Sequence, residues 1–121
     1  MPAPDRVDPI AFEVIRNALL EATEEMAIAL RRSAYSTNIK TRADFSCVLF
    51  DRKLQAVAQC FSQPTHLGSL AEMVPMAVGI YGADNLLPGD AILSNDGHAG
   101  GAHLNDVTLI SPVYCDGELF G

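Results

Sequence analysis

Asp8-Pro9 opens the longest regular segment this chain encodes, and that segment limits how everything else can be arranged. The Asp8 carboxylate is suited to cap a helix N-terminus, and proline at the first helical position sacrifices no hydrogen bond. Apolar residues then recur at Phe12, Ile15, Leu19, Ala22, Met26 and Leu30. Their steps of three and four trace a helical stripe over about five turns. Glu13, Glu21, Glu24 and Glu25 fall mostly away from it. Ser36-Thr37-Asn38 is turn-like, so the helix should end near Ser33 to Tyr35. A helix of this length in 121 residues needs an extensive partner surface. A chain of this size buries only about two-thirds of its unfolded surface. With 49% hydrophobic residues, apolar surface should be left over for further polypeptide or another subunit.

The rest of the chain alternates between short strands and one more helix. Residues 1–7 are a short, mostly polar lead. Phe45 to Phe50 reads as a buried strand, Asp51-Arg52-Lys53 as a turn, and Leu54 to Cys60 as the returning strand of a hairpin. Phe61 to Thr65 is loop-like. Ser69-Leu70-Ala71-Glu72 matches the capping-box pattern and predicts a helix over roughly 70–81. Pro75 within that span predicts a kink or a start further downstream. Leu87-Pro88-Gly89-Asp90 turns the chain into a strand at 91–94, and Val107 to Tyr114 reads as another. Asp116-Gly117 marks a hairpin turn whose second arm stops at Leu119-Phe120-Gly121, as expected of part of something longer. The order implies an α+β fold: a long N-terminal helix packed on a mixed sheet, within an incomplete domain spanning residues 1–121.

Charge and cysteine content narrow the function classes. The net charge of −7, from 8 basic and 15 acidic residues, argues against nucleic acid and anionic membranes as partners. Arg31, Arg32, Lys40 and Arg42 nevertheless cluster in one stretch. They either hold an anionic substrate group or form a solvated helix end favoured by the helix dipole. Cys47, Cys60 and Cys115 are an odd set without CxxC spacing, which fits a reducing compartment better than a disulfide framework. No run is long enough to span a membrane, and the N-terminus lacks the apolar core of a signal peptide, so a cytoplasmic protein is expected.

Reactive chemistry concentrates between Asn95 and Asp106, where two histidines, two carboxylates and three glycines follow a strand. Imidazole and carboxylate bind divalent metals, and glycine permits the tight curves such a site needs. His103 and Asp106, three apart, are candidate ligands of one ion, or polar groups of a surface turn. His98 and Asp96 are further candidates, although Asp before Gly more commonly bonds its own backbone. Asp44 is either salt-bridged to the neighbouring basic stretch or turned toward a site. His66, just ahead of the capped helix, either faces an anion at that N-terminus or fills a local hydrogen-bonding role. Phosphate-binding loop, nucleophile-elbow and dinucleotide signatures are missing from the sequence.

Five blocks, taken in order, carry a family resemblance. They are Asp8-Pro9-Ile10-Ala11-Phe12-Glu13-Val14-Ile15-Arg16-Asn17-Ala18-Leu19; Leu30-Arg31-Arg32-Ser33-Ala34-Tyr35-Ser36 with Asn38-Ile39-Lys40; Asp44-Phe45-Ser46-Cys47; His66-Leu67-Gly68-Ser69; and Asn95-Asp96, Gly100-Gly101, His103-Leu104, Asp106-Val107-Thr108-Leu109. Together they resemble the N-terminal portion of the hydantoinase B/oxoprolinase family. That family includes N-methylhydantoinase B, the C-terminal half of ATP-dependent 5-oxoprolinase, and a large subunit of the acetone and acetophenone carboxylases. The sequence departs from the family pattern at Gly97-His98, Ala102 and Asn105, where Pro-Tyr, Thr and Pro are usual.

The resemblance implies a metal-bearing part of an ATP-dependent hydrolase of cyclic amides, of the hydantoin or 5-oxoproline type. The alternatives are a subunit of an ATP-dependent ketone carboxylase and a non-catalytic truncated fragment. It implies a divalent metal (Zn, Mn or Mg) on Asp44, His103 and Asp106. Substrate contacts are expected from His66, His98 and Arg42, while no residue is assigned as the catalytic one. It also implies ATP on a hydantoinase A-like partner subunit or domain in a hetero-oligomer. By itself the 121-residue chain is expected to show no turnover.

Overall fold

The computed structural model describes residues 7–61, 63–99, 103–104 and 106–121. Gly100, Gly101, Ala102 and Asn105, which belong to the glycine-rich loop between Asn95 and Asp106, lie outside the described residues. The element order is α1 (Pro9–Ser33), α2 (Thr37–Lys40), β1 (Val48–Phe50), β2 (Ala56–Gln59), α3 (Pro64–Tyr81), β3 (Ile92–Ser94), β4 (Thr108–Ile110), β5 (Tyr114–Cys115) and β6 (Glu118–Leu119). The fold is α+β, with the long N-terminal helix in place. Instead of one mixed sheet, the strands form three separate antiparallel pairs, β1–β2, β3–β4 and β5–β6. Each pair is two or three residues deep and closes locally, so among the described residues no strand pairs with a second neighbour.

Helix α1 begins where its cap dictates: Asp8 Oδ1 accepts from the Ile10 N–H at 3.1 Å, with Pro9 in the first turn. The face it buries differs from the expected stripe. Phe12, Ile15, Met26 and Leu30 are exposed, and the helix rests on β1–β2 through the side carrying Leu19, Leu20, Thr23, Glu24 and Ala27. Thr23 is fully buried and donates its hydroxyl to the Leu20 carbonyl at 2.8 Å. Apolar residues, Ile10, Val14, Ala18 and Ile28 included, wrap most of the helix. Periodicity therefore admitted several faces, and the hairpin selected one. The apolar surface expected to remain on the first helix is there, from Ile10 to Ile28.

The β1–β2 turn is held by Asp51, whose Oδ1 accepts from the N–H groups of Lys53 and Gln55, both at 2.9 Å. Leu54 sits at φ 59°, and the register slips between Leu49 and Phe50, which shortens the expected strands. Helix α3 starts at Pro64, six residues upstream of the span 70–81 that the sequence suggested. Pro64 takes the first turn, where a missing N–H is harmless, and Ser69 donates its hydroxyl to the His66 carbonyl instead of capping. Pro75 is accommodated inside the helix. The core forms where Val74, Val78 and Leu86 meet Phe50, Leu54, Leu70, Ile92 and Ile110, so α3 closes over β3–β4. Beyond β4 the expected strand is broken around Pro112. Val113 instead exchanges hydrogen bonds with Gly121 and Phe120. Asp116 and Gly117 both have positive φ, 50° and 82°, as a two-residue hairpin turn requires.

Candidate functional site

Three segments far apart in sequence meet at one open cleft of about 220 Å3, lined by Arg42, Asp44, Gln63, His66 and His103. The first is the turn after α2. The Arg42 and Asp44 amides donate to the carbonyls of Thr37 and Asn38 at 3.3 and 3.0 Å, with Ala43 in the left-handed region between them at φ 52°. That reversal presents Arg42 and Asp44 together. The base of α2 is tied to α1 by Arg31, whose Nε donates to the Lys40 carbonyl at 2.8 Å. The basic cluster thus divides its work: Arg31 serves the backbone while Arg42 enters the cleft.

The second segment is the start of α3. Gln63 precedes the helix without capping it through its side chain, and His66 lies in the first turn. The His66 side chain is 14% exposed and its Nε2 lies 3.7 Å from Asp44 Oδ1, whose own side chain is half exposed. Two long-range hydrogen bonds place this segment. Glu24 of α1 accepts from the Phe61 N–H at 2.6 Å, and Ser46 Oγ donates to the Gln63 carbonyl at 3.4 Å.

The third segment is the β3–β4 connection, which brings in His103. Its ring stands 6.5 Å from that of His66, centroid to centroid, and nearly perpendicular at 84°. Asp106 fixes the local turn: its Oδ2 accepts from the His103 N–H at 3.1 Å, and its own N–H donates to the His103 carbonyl at 3.2 Å. Asp96 acts similarly, accepting from the His98 N–H at 2.9 Å, which is the backbone role Asp before Gly usually takes. His98 is exposed on a single turn, Gly97–Ala99. Gly97 approaches Leu104 so closely that a Cβ would lie 3.1 Å from Leu104 Cδ2.

Of the residues singled out from sequence, Arg42, Asp44, His66 and His103 are therefore brought together, while His98 and Asp106 are not among those lining the cleft. Gln63 was missed; only its place just ahead of a proline-led helix hinted at it. Two imidazoles and a carboxylate are suitable donors for a divalent metal. Among the described residues, however, no group of three or more His, Cys, Asp or Glu side chains is placed to hold one. As arranged, the cleft offers a guanidinium for anionic oxygen, an amide, and two imidazoles able to carry protons.

A family model described as hydantoinase B/oxoprolinase matches residues 8–121. An uncharacterized protein of Methanocaldococcus jannaschii is 39% identical over 117 residues, covering 95% of this chain and 21% of that protein. A 5-oxoprolinase of Saccharomyces cerevisiae is 37% identical over 114 residues, covering 93% of this chain and 9% of the enzyme. The beta subunit of the Pseudomonas jessenii caprolactamase is 36% identical over 113 residues, covering 93% of this chain and 19% of that polypeptide. The chain thus spans between about a tenth and a fifth of the length of these relatives. No solved structure matches it.

Proposed function

The chain belongs to the hydantoinase B/oxoprolinase family, and on that premise we propose that it contributes part of the site of a hydrolase that opens cyclic amides. The observation that carries this reading is the meeting of Arg42, Asp44, His66 and His103, from three separate segments, at one cleft. Ring opening of a cyclic amide needs an acceptor for the proton of the attacking water and a donor for the departing nitrogen, since the C–N bond breaks only as that nitrogen is protonated. His66, steadied by Asp44 at 3.7 Å, is placed to move one proton, and His103 across the cleft the other. Arg42 neutralises an anionic oxygen on the substrate or its activated form. The 5-oxoprolinases and the caprolactamase polypeptide among the relatives support a cyclic amide as the substrate class.

Two further roles rest on the family resemblance. Activation by ATP is assigned to a hydantoinase A-like subunit or domain, and the naming of one relative as a beta subunit supports a multi-subunit arrangement. A divalent metal (zinc, manganese or magnesium) would draw on the carboxylates of Asp44 and Asp106 and the imidazole of His103, and would polarise the amide carbonyl or activate water. The test is ATP-dependent opening of 5-oxoproline, hydantoin and caprolactam by the complete assembly. His66→Gln should lower kcat by about 10²-fold or more, the usual span for loss of a general acid or base. Arg42→Ala should act mainly on KM. Metal content measured before and after chelation reports the ion independently of turnover. Unchanged kcat in His66→Gln would refute the assignment.

A further inference from the structure

Cys47 and Cys60 are adjacent in space at the base of the loops that carry the cleft. One residue beyond the pair Val48↔Gln59 the register sets Cys47 opposite Cys60. The Cys60 N–H donates to the Cys47 carbonyl at 3.0 Å. The Cys47 N–H donates to the Cys60 sulfur at 3.2 Å. Both are buried, at 8% and 2% exposure, and the structure holds both as thiols. Opposed residues of an antiparallel pair have Cα atoms about 4.5–5.5 Å apart and side chains on one face. A disulfide spans roughly 4.4–6.8 Å between Cα atoms, a range that includes opposed residues of a hairpin, and closing the bond needs only that the two Cβ atoms lean together to about 3.5–4.5 Å.

We infer that Cys47 and Cys60 are an oxidation site: a buried dithiol that closes to an intramolecular disulfide and staples the two stems of the cleft. Cys47 follows Asp44 by three residues, and Cys60 precedes Gln63 by three. The bond would therefore join the two strand ends from which the Asp44 and Gln63 segments leave. The oxidant is a small peroxide, because neither sulfur is open to a bulky reagent. One thiolate attacks hydrogen peroxide, giving a sulfenic acid and hydroxide. The second sulfur then displaces the sulfenic oxygen, which leaves as water once protonated. In total two thiols and one peroxide give one disulfide and two waters. Burial pushes the Cys47 thiol up to about 11, so below pH 9 its thiolate is scarce and the reaction is slow. The pair resists incidental oxidation and yields to sustained exposure. Cys115, exposed on β5, is separate from it.

The chain is treated with hydrogen peroxide between pH 7 and 8.5, quenched with an alkylating reagent under denaturing conditions, and mapped by peptide mass spectrometry. A Cys115→Ser variant, treated alongside, removes the exposed thiol as a competing partner. The expected result is a Cys47–Cys60 cross-linked peptide that disappears on reduction by a thiol. Its rate of formation should rise about tenfold for each step of one in pH, as the thiolate fraction does well below the pKa. The oxidised protein should also melt higher by about 5 °C or more, as closing a short loop in a small domain predicts. Full alkylation of both residues after exposure would overturn the inference, as would sulfinic acid at either without a cross-link. A cross-linked form that melts no higher than the dithiol would equally overturn it, because the native hairpin would then not accommodate the bond. None of these readouts depends on hydrolase activity.

Discussion

Raising the pH from 8 to 11 should destabilise this protein through one identifiable group. Cys47 has an ordinary thiol value of 9.0 raised to about 11. The main cause is burial, followed by the charge and hydrogen bond of Cys60 and then the charge of Glu24. Between pH 9 and 11 the unfolded chain gives up the Cys47 proton while the folded chain keeps it. The folded state binds more protons in that window, so stability falls as pH rises through it. A tenfold change in proton affinity is worth about 1.4 kcal/mol. The loss attributable to Cys47 is therefore about 1.4 kcal/mol at pH 10, approaching about 2.7 kcal/mol above pH 11, and close to zero below pH 8. Urea unfolding in the presence of reductant, repeated across this range for the natural chain and for Cys47→Ala, isolates the effect. Lysine and tyrosine titrations are common to both chains and cancel in the difference. Removing the sulfur costs Cys47→Ala a constant amount of packing, and the two curves should then converge by about 1.4 kcal/mol between pH 8 and pH 10. A difference that stays flat to within about 0.3 kcal/mol would refute burial of that thiol in the folded chain, since a solvated sulfur has no reason to hold its proton.

Two further substitutions test the hairpin turn and the buried side of α3. Asp51→Ala removes the acceptor of the Lys53 and Gln55 N–H groups and should cost about 1–2 kcal/mol in urea unfolding, with faster amide exchange at those two positions. Met73→Ala empties one of the two largest fully buried side-chain positions among the described residues and should cost about 2–5 kcal/mol, seen as a lower denaturation midpoint with little change in slope.

Much of the architecture was legible because it is decided within a few residues. The Asp8 cap, the β1–β2 hairpin, the Asp90 turn, and the positive-φ pair Asp116-Gly117 each follow from local hydrogen bonding that a short stretch of sequence dictates. The chemistry-bearing residues were legible by type: Arg42, Asp44, His66 and His103 stood out as groups that bind anions, protons or metals, and they line one cleft. Where two local signals competed, the sequence misled. The Ser69–Glu72 pattern suggested a helix start that Pro64, better suited to a first turn, takes instead.

What only the tertiary structure decided are choices that local energies leave nearly degenerate. Helix α1 is apolar around much of its circumference, so its periodicity could not say that Thr23 and Leu20 would face inward while Phe12 and Ile15 face out. Asp106 and His98 carry the same chemical groups as Asp44 and His66. Loop geometry alone turns one carboxylate onto a backbone N–H and the other toward an imidazole. Gln63 carries no signal of its own and joins the cleft because Ser46 and Glu24 hold its segment across the hairpin. A side chain's type is written at its own position. Its direction depends on contacts with residues distant in sequence, some of them tens of positions away, and those exist only once the chain has folded.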